Sequence, residues 1–203
     1  MGAFKPLLPF GDQTVIEACV KNLLDGGIDQ MIVVVGHRAD EIRSALSNLP
    51  VIFALNDKPE SEMSVSISKG FEHVPTEADA VFIALVDQPA IPPNVIKILI
   101  DEWNRSETLL IPEHNGRGGH PVLIGASFRG ELLTLDPARG LRAFFDRHKD
   151  EVVRVPIDSP YIARDMDTWE DYVALHGEIF GEDPPTLEGA RPNARQRKSP
   201  TEV

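Results

Sequence analysis

Apolar residues recur along this chain in short blocks, each closed by glycine, proline or an acidic turn. Gln30 to Val35 and Val51 to Leu55 are β-branched runs that end at Gly36-His37 and Asn56-Asp57. They read as strands. Ala80 to Val86 is apolar without alternation and leads straight into Asp87-Gln88-Pro89. That pattern predicts a strand buried on both faces, inside a parallel sheet covered by helices. Pro89 cannot donate to a ladder, so the strand must end about there.

Between these blocks the spacing becomes helical. Thr14 can cap a helix running to Leu24, closed by Asp25-Gly26-Gly27. From Asp40 to Leu49 the apolar positions are Ile42, Ala45, Leu46 and Leu49, and Ser64 to Phe71 and Val95 to Trp103 also predict helices. Met1 to Asp12 reads as irregular, with Pro6 and Pro9 around Leu7-Leu8. The order β-α-β-α-β-α predicts an α/β fold, a mostly parallel sheet with helices on both faces.

Past Trp103 the spacing shortens. Leu109 to Pro112 and Pro121 to Ile124 predict strands around a loop, Glu113 to His120, that holds Gly116, Gly118 and Gly119. Such a loop lets a backbone approach a ligand closely. Glu131 to Leu135 and Leu141 to His148 predict helices, Val152 to Ile157 a strand, and Thr168 caps a last helix behind Arg164-Asp165-Met166-Asp167. From Gly181 onward no periodicity survives, which predicts one domain over residues 1–180 and a disordered tail over 181–203.

Composition narrows the function classes. Of 203 residues, 42% are hydrophobic and 26% charged, with a net charge of −12. The charge argues against nucleic acid or an anionic membrane as partner, so a polyanionic substrate needs local positive charge or a metal. No apolar run approaches the roughly 18 residues of a membrane span, and no signal peptide is recognisable. The single cysteine, Cys19, excludes an internal disulfide and fits a reducing cytoplasm, the expected location. Cys19 shares the apolar side of its helix with Val15, Ile16 and Leu23, where a packed thiol is expected rather than a nucleophile.

Candidate chemistry centres on Asp87 and Gln88 at the carboxyl end of a central strand, where open α/β sheets bind ligands. Asp87 there either holds Mg²⁺, which prefers oxygen ligands, or caps the helix that starts near Pro92. Arg139 and Arg142 either bind an anionic substrate or pair with Asp136 or Asp146. No serine sits on a strand-to-helix elbow, and the six histidines show no zinc spacing.

Five segments in order resemble the MobA-like nucleotidyltransferase family, most closely its molybdenum cofactor cytidylyltransferase branch. They are Met1-Gly2-Ala3-Phe4-Lys5-Pro6-Leu7-Leu8, Glu62-Met63-Ser64-Val65-Ser66, Val86-Asp87-Gln88-Pro89, Gly119-His120-Pro121-Val122-Leu123 and Asp165-Met166-Asp167-Thr168-Trp169-Glu170-Asp171-Tyr172. The resemblance implies a three-layer Rossmann-like nucleotidyltransferase fold. It implies transfer of a nucleoside monophosphate from an NTP, CTP favoured over GTP, to a phosphorylated acceptor such as molybdopterin, with pyrophosphate leaving. By position, Lys5 and Asp87 carry the catalytic roles, and Asp87, Asp165 and Asp167 hold Mg²⁺. Gly2, Lys5, Gly36, Ser64, Gln88, His120 and Arg139 line the nucleotide and the acceptor. A molybdoenzyme client or chaperone is a further implied partner. Without the resemblance, Lys5 reads as a solvated surface lysine and His120 as an exposed loop histidine.

The chain departs from the family at its start, where members carry an apolar strand and a Leu-Ala-Ala-Gly-x-Ser-x-Arg loop. That strand belongs between those predicted at Gln30 and Ala80. Without it, about eight backbone groups lack partners, at roughly 1–3 kcal/mol each. Three outcomes are expected as alternatives: natural residues upstream of Met1, direct pairing of the flanking strands, or a poorly folding relative. A non-catalytic protein that binds or delivers the pterin cofactor is the alternative function.

Overall fold

The structure, a computed structural model, describes residues 4–58, 61–106 and 108–185. From Lys5 onward the opening segment is regular rather than irregular, with Lys5–Leu7 in a 3₁₀ turn. Gly11, at φ +64°, turns a hairpin between β1 (Pro9–Phe10) and β2 (Gln13–Thr14). Thr14 then starts α1 (Val15–Asp25) with a reciprocal cap: its Oγ1 accepts from Glu17 N, and the Glu17 carboxylate accepts from Thr14 N at 2.8 Å. β3 (Met31–Val35), α2 (Ala39–Ala45), β4 (Val51–Leu55), α3 (Met63–Phe71), β5 (Ala80–Ile83) and α4 (Pro93–Ser106) follow the predicted alternation.

The second half adds β6 (Leu109–His114), β7 (Arg117–Gly118), β8 (Val122–Gly125), α5 (Arg129–Leu133), α6 (Gly140–Arg147), β9 (Val152–Pro156) and α7 (Trp169–Phe180). Thr168 and Asp171 repeat the reciprocal cap at α7. Gly181, at φ +76°, closes that helix, and the Glu182 carbonyl meets His176 Nδ1 at 2.8 Å. The expected tail from 186 onward lies outside the described residues.

The α/β class stands, and the strands form a mixed arrangement. β3 pairs with β4 in parallel, Met31 opposite Val51. The larger sheet runs β5-β8-β6, with β9 parallel to β6, and β8 antiparallel to both its neighbours. Parallel pairing needs a long crossover, and the short turn from Asn115 to Pro121 between β6 and β8 permits only reversal. Among the described residues no helix is long and apolar enough to cross a membrane.

β3 and β5 do not pair with one another, so the expectation of direct closure is not met. They flank a cleft of about 1020 Å³, lined among others by Met31, Val33, Phe71, Val81 and Phe82. Each pairs along one edge only among the described residues. The expectation that the Ala80 strand is buried on both faces is corrected accordingly: all four residues of β5 are half-buried. Separate cores pack on each side. Ile91, Val95, Ile96 and Leu99 cover one face of the larger sheet, and Phe71, Leu132 and Phe144 the other. Ile16, Val20 and Leu46 back the β3–β4 pair.

Candidate active site at the end of β5

Asp87 follows β5 in a segment that α1 holds from below. Cys19 Sγ reaches the Val86 carbonyl at 3.4 Å, and Asn22 Nδ2 donates to Pro89 O at 3.0 Å. Burial, with the Asp87 charge adding to it, pushes the Cys19 thiol up to about 12, so it is a packing and anchoring group. The loop before α7 closes on the same segment from the other side. Met166 N donates to Asp87 O at 3.0 Å, and Gln88 Nε2 donates to Asp165 Oδ1 at 2.7 Å.

Two carboxylates are thereby brought to one place. The Asp87 pKa is raised, first by burial and then by the Asp165 charge; Lys5 opposes this and Asp167 adds to it. Asp87 Oδ1 is buried with no partner. A desolvated acceptor under the charge of a second carboxylate is chemistry that a hard cation satisfies. The structure therefore fits a divalent ion at Asp87 and Asp165. It does not gather the expected third ligand, since no set of three His, Cys, Asp or Glu residues is poised to hold a metal among the described residues. Asp167 instead accepts from Lys5 Nζ at 2.9 Å, the lysine half-buried and the aspartate exposed. Such a pair contributes about 0–1 kcal/mol and opens readily.

His120 is placed by backbone rather than by its ring. Gly119 N donates to Pro112 O at 2.9 Å, His120 N donates to Ile162 O at 2.7 Å, and the His120–Pro121 peptide is cis. Burial lowers the His120 pKa, against the raising influence of Asp165 and Asp87. The ring is thus held neutral beside the acid pair, partly buried rather than the exposed loop histidine its glycine neighbours suggest.

The remaining expected residues spread around this centre. Gly36 lies beyond β3 on the cleft. Ser64 is buried in the first turn of α3, its Oγ 3.5 Å from Pro137 O. Arg139 is exposed ahead of α6. Asp136 accepts from Ala138 N at 2.9 Å. Gly2 lies outside the described residues.

Sequence reasoning missed Asn56. It is buried at the cleft, and its Nδ2 donates to Ser61 Oγ at 3.1 Å and Ser66 Oγ at 3.0 Å. An asparagine that directly follows a β-branched strand was the available signal. The Gln88–Asp165 bond had none, because 77 positions separate its partners.

Acid groups at the carboxyl end of a strand in a helix-covered sheet, with a lysine beside them, define an α/β protein of nucleotidyltransferase type. The chain belongs to the MobA-like NTP transferase domain family, whose model matches residues 1–166. It is 25% identical over 175 residues to the molybdenum cofactor cytidylyltransferase of Escherichia coli (strain K12), covering 85% of this chain and 87% of that one. It is also 25% identical over 178 residues to the nicotine blue oxidoreductase of Paenarthrobacter nicotinovorans, covering 84% and 87%. Among solved structures, Rv0371c of Mycobacterium tuberculosis superposes with a TM-score of 0.77 at 25% identity, over 87% of this chain and 90% of that one. Its complex with manganese gives a TM-score of 0.72 at 26% identity, over 86% and 92%.

Proposed function

We propose that this chain transfers a nucleoside monophosphate from an NTP, CTP first among the candidates, to the terminal phosphate of a pterin cofactor of the molybdopterin type. The observation that carries this reading is the buried, unpartnered Asp87 Oδ1 at the end of β5, on a carboxylate that feels the charge of Asp165. An acid pair that is unfavourable alone becomes favourable once a cation and phosphates arrive. The cytidylyltransferase relative and the manganese complex of Rv0371c support the same assignment.

In this reaction an oxygen of the acceptor phosphate forms a bond to the α-phosphorus of the nucleotide. The bond from that phosphorus to the bridging oxygen breaks, and pyrophosphate leaves with the electron pair. A divalent ion, Mg²⁺ in this reading, supplies charge neutralisation along the phosphates when bound. Asp87 and Asp165 would hold that ion. Lys5 leaves its partner Asp167 and turns to the phosphates, which are the stronger anion. His120, neutral at the rim, donates or accepts a hydrogen bond without adding charge. Ser64, Gly36 and Arg139 border the substrates at longer range, and a molybdoenzyme client receives the product.

The alternative is a protein that binds the pterin without turning over nucleotide. Lys5 already engaged with Asp167 favours it. Pyrophosphate release measured with each of four NTPs, Mg²⁺ and molybdopterin decides. We expect release with CTP, reduced by on the order of 10²–10³-fold in Asp87→Ala. Pterin binding with no release supports the alternative, and activity untouched in Asp87→Ala overturns the proposal.

A further inference from the structure

Gln88 has a task that neither the family match nor the relatives assign. Its side chain is 4% exposed, and Nε2 donates to Asp165 Oδ1 at 2.7 Å. Asp165 itself is exposed, on a loop tied to this segment by the backbone bond from Met166 N to Asp87 O. An exposed aspartate on a loop samples several rotamers, and fixing one has an entropic cost at the moment of ligand binding. The Gln88 amide meets that cost in advance. It occupies one carboxylate oxygen, leaves the other available, and as a neutral donor adds no charge of its own.

Gln88 is itself fixed. Pro89 O accepts from Asn22 of α1, and Gln88 is buried, lining a small cavity with Leu23, Ile91 and Ile96. A buried donor that reaches the carboxylate of an exposed residue is the arrangement by which outer groups orient metal ligands. We infer that Gln88 is a positioning residue for Asp165: it holds that carboxylate toward Asp87 so that the two together take a divalent cation. This rests on the proposed cation at the end of β5.

A merely structural role for Gln88, tying two loops, predicts lost stability with unchanged metal affinity. The two are separated by Mn²⁺ titration of the full chain, followed by electron paramagnetic resonance, alongside thermal melts. Gln88→Met keeps the shape and removes the donor. We expect it to weaken Mn²⁺ binding by about 10–100-fold, the usual cost of losing such a partner. In an Asp165→Asn background the same change should cost less than about twofold, because its route to the metal is already gone. Gln88→Leu, which also lacks the donor and adds no charge, should behave like Gln88→Met and serves if that variant does not fold. Mn²⁺ affinity within twofold of the parent in both variants overturns the inference and leaves the proposed function standing. So do losses that multiply in the double variant. A parent chain that binds no Mn²⁺ overturns both.

Discussion

At the scale of single residues, Asp87 carries the tension from which function follows. Burial and the Asp165 charge raise its pKa, so in the folded, metal-free protein ionisation is disfavoured relative to the unfolded chain. Below the ordinary carboxylate range, near 3.8, the group is protonated in both states and the folded state bears no penalty. As pH climbs from there to the raised folded value, the unfolded state ionises first, and stability is lost until the folded group ionises too. Asp87→Asn should therefore melt higher than the parent at pH 7 without metal, and the gap should close as pH falls toward 4. Mn²⁺ or Mg²⁺ should raise the melting temperature of the parent and leave that of the variant where it was. A variant that melts lower at pH 7 in metal-free buffer contradicts the account. Asp87 was legible because a seven-residue apolar run delivers it to a turn. Its interaction with Asp165 was not, since nothing local links residues 78 positions apart.

Among the elements, those governed by neighbours in sequence were readable and those governed by distant contacts were not. Both helices begun by a reciprocal threonine–acid cap, at Thr14 and Thr168, start where the sequence places them. The β1–β2 hairpin escaped notice because its strands have two residues each and depend on Gly11 rather than on alternation. The antiparallel insertion of β8 follows from loop length, a constraint that apolar periodicity does not carry. The loop around Gly119 shows the same division. Its glycines mark it as permissive, but only the fold reveals that a Cβ at Gly119 would lie 2.0 Å from the carbonyl oxygen of Ile162. That carbonyl also receives His120 N, so one methyl group pries the His120 loop from the segment leading to Asp165. Gly119→Ala should lose about 1–3 kcal/mol of stability, the usual cost of overpacking, read by denaturant unfolding. It should also weaken nucleotide or metal binding. Gly116, with nothing within 4 Å of its would-be Cβ, has no such contact to lose. Unchanged stability in Gly119→Ala means that the His120 loop is not seated against Ile162.

For the whole molecule, the apolar cleft between β3 and β5 decides how the sheet behaves in water. A volume of about 1020 Å³ is many times the roughly 30 Å³ that one water occupies in the liquid, so solvent enters. Strands that pair along one edge present the amides of the other edge to that solvent. β6, by contrast, is paired on both sides, by β8 and β9, and Leu109 and Leu110 are fully buried. Protection from exchange tracks the free energy of opening, which is near zero for an amide already facing water. Amide hydrogen exchange should therefore split the molecule. Alternate amides in Met31–Val35 and Ala80–Ile83 should exchange early, while those of Leu109, Leu110, Ile111 and Glu113 persist. Nucleotide with Mg²⁺, bound at the carboxyl ends of these strands, should slow exchange most at Gly36 and around Asp87, and least at the far ends, Met31 and Ala80. Equal protection of β3, β5 and β6 in the free chain would mean that the two strand edges have closed on each other in solution, and the cleft described here would not exist there.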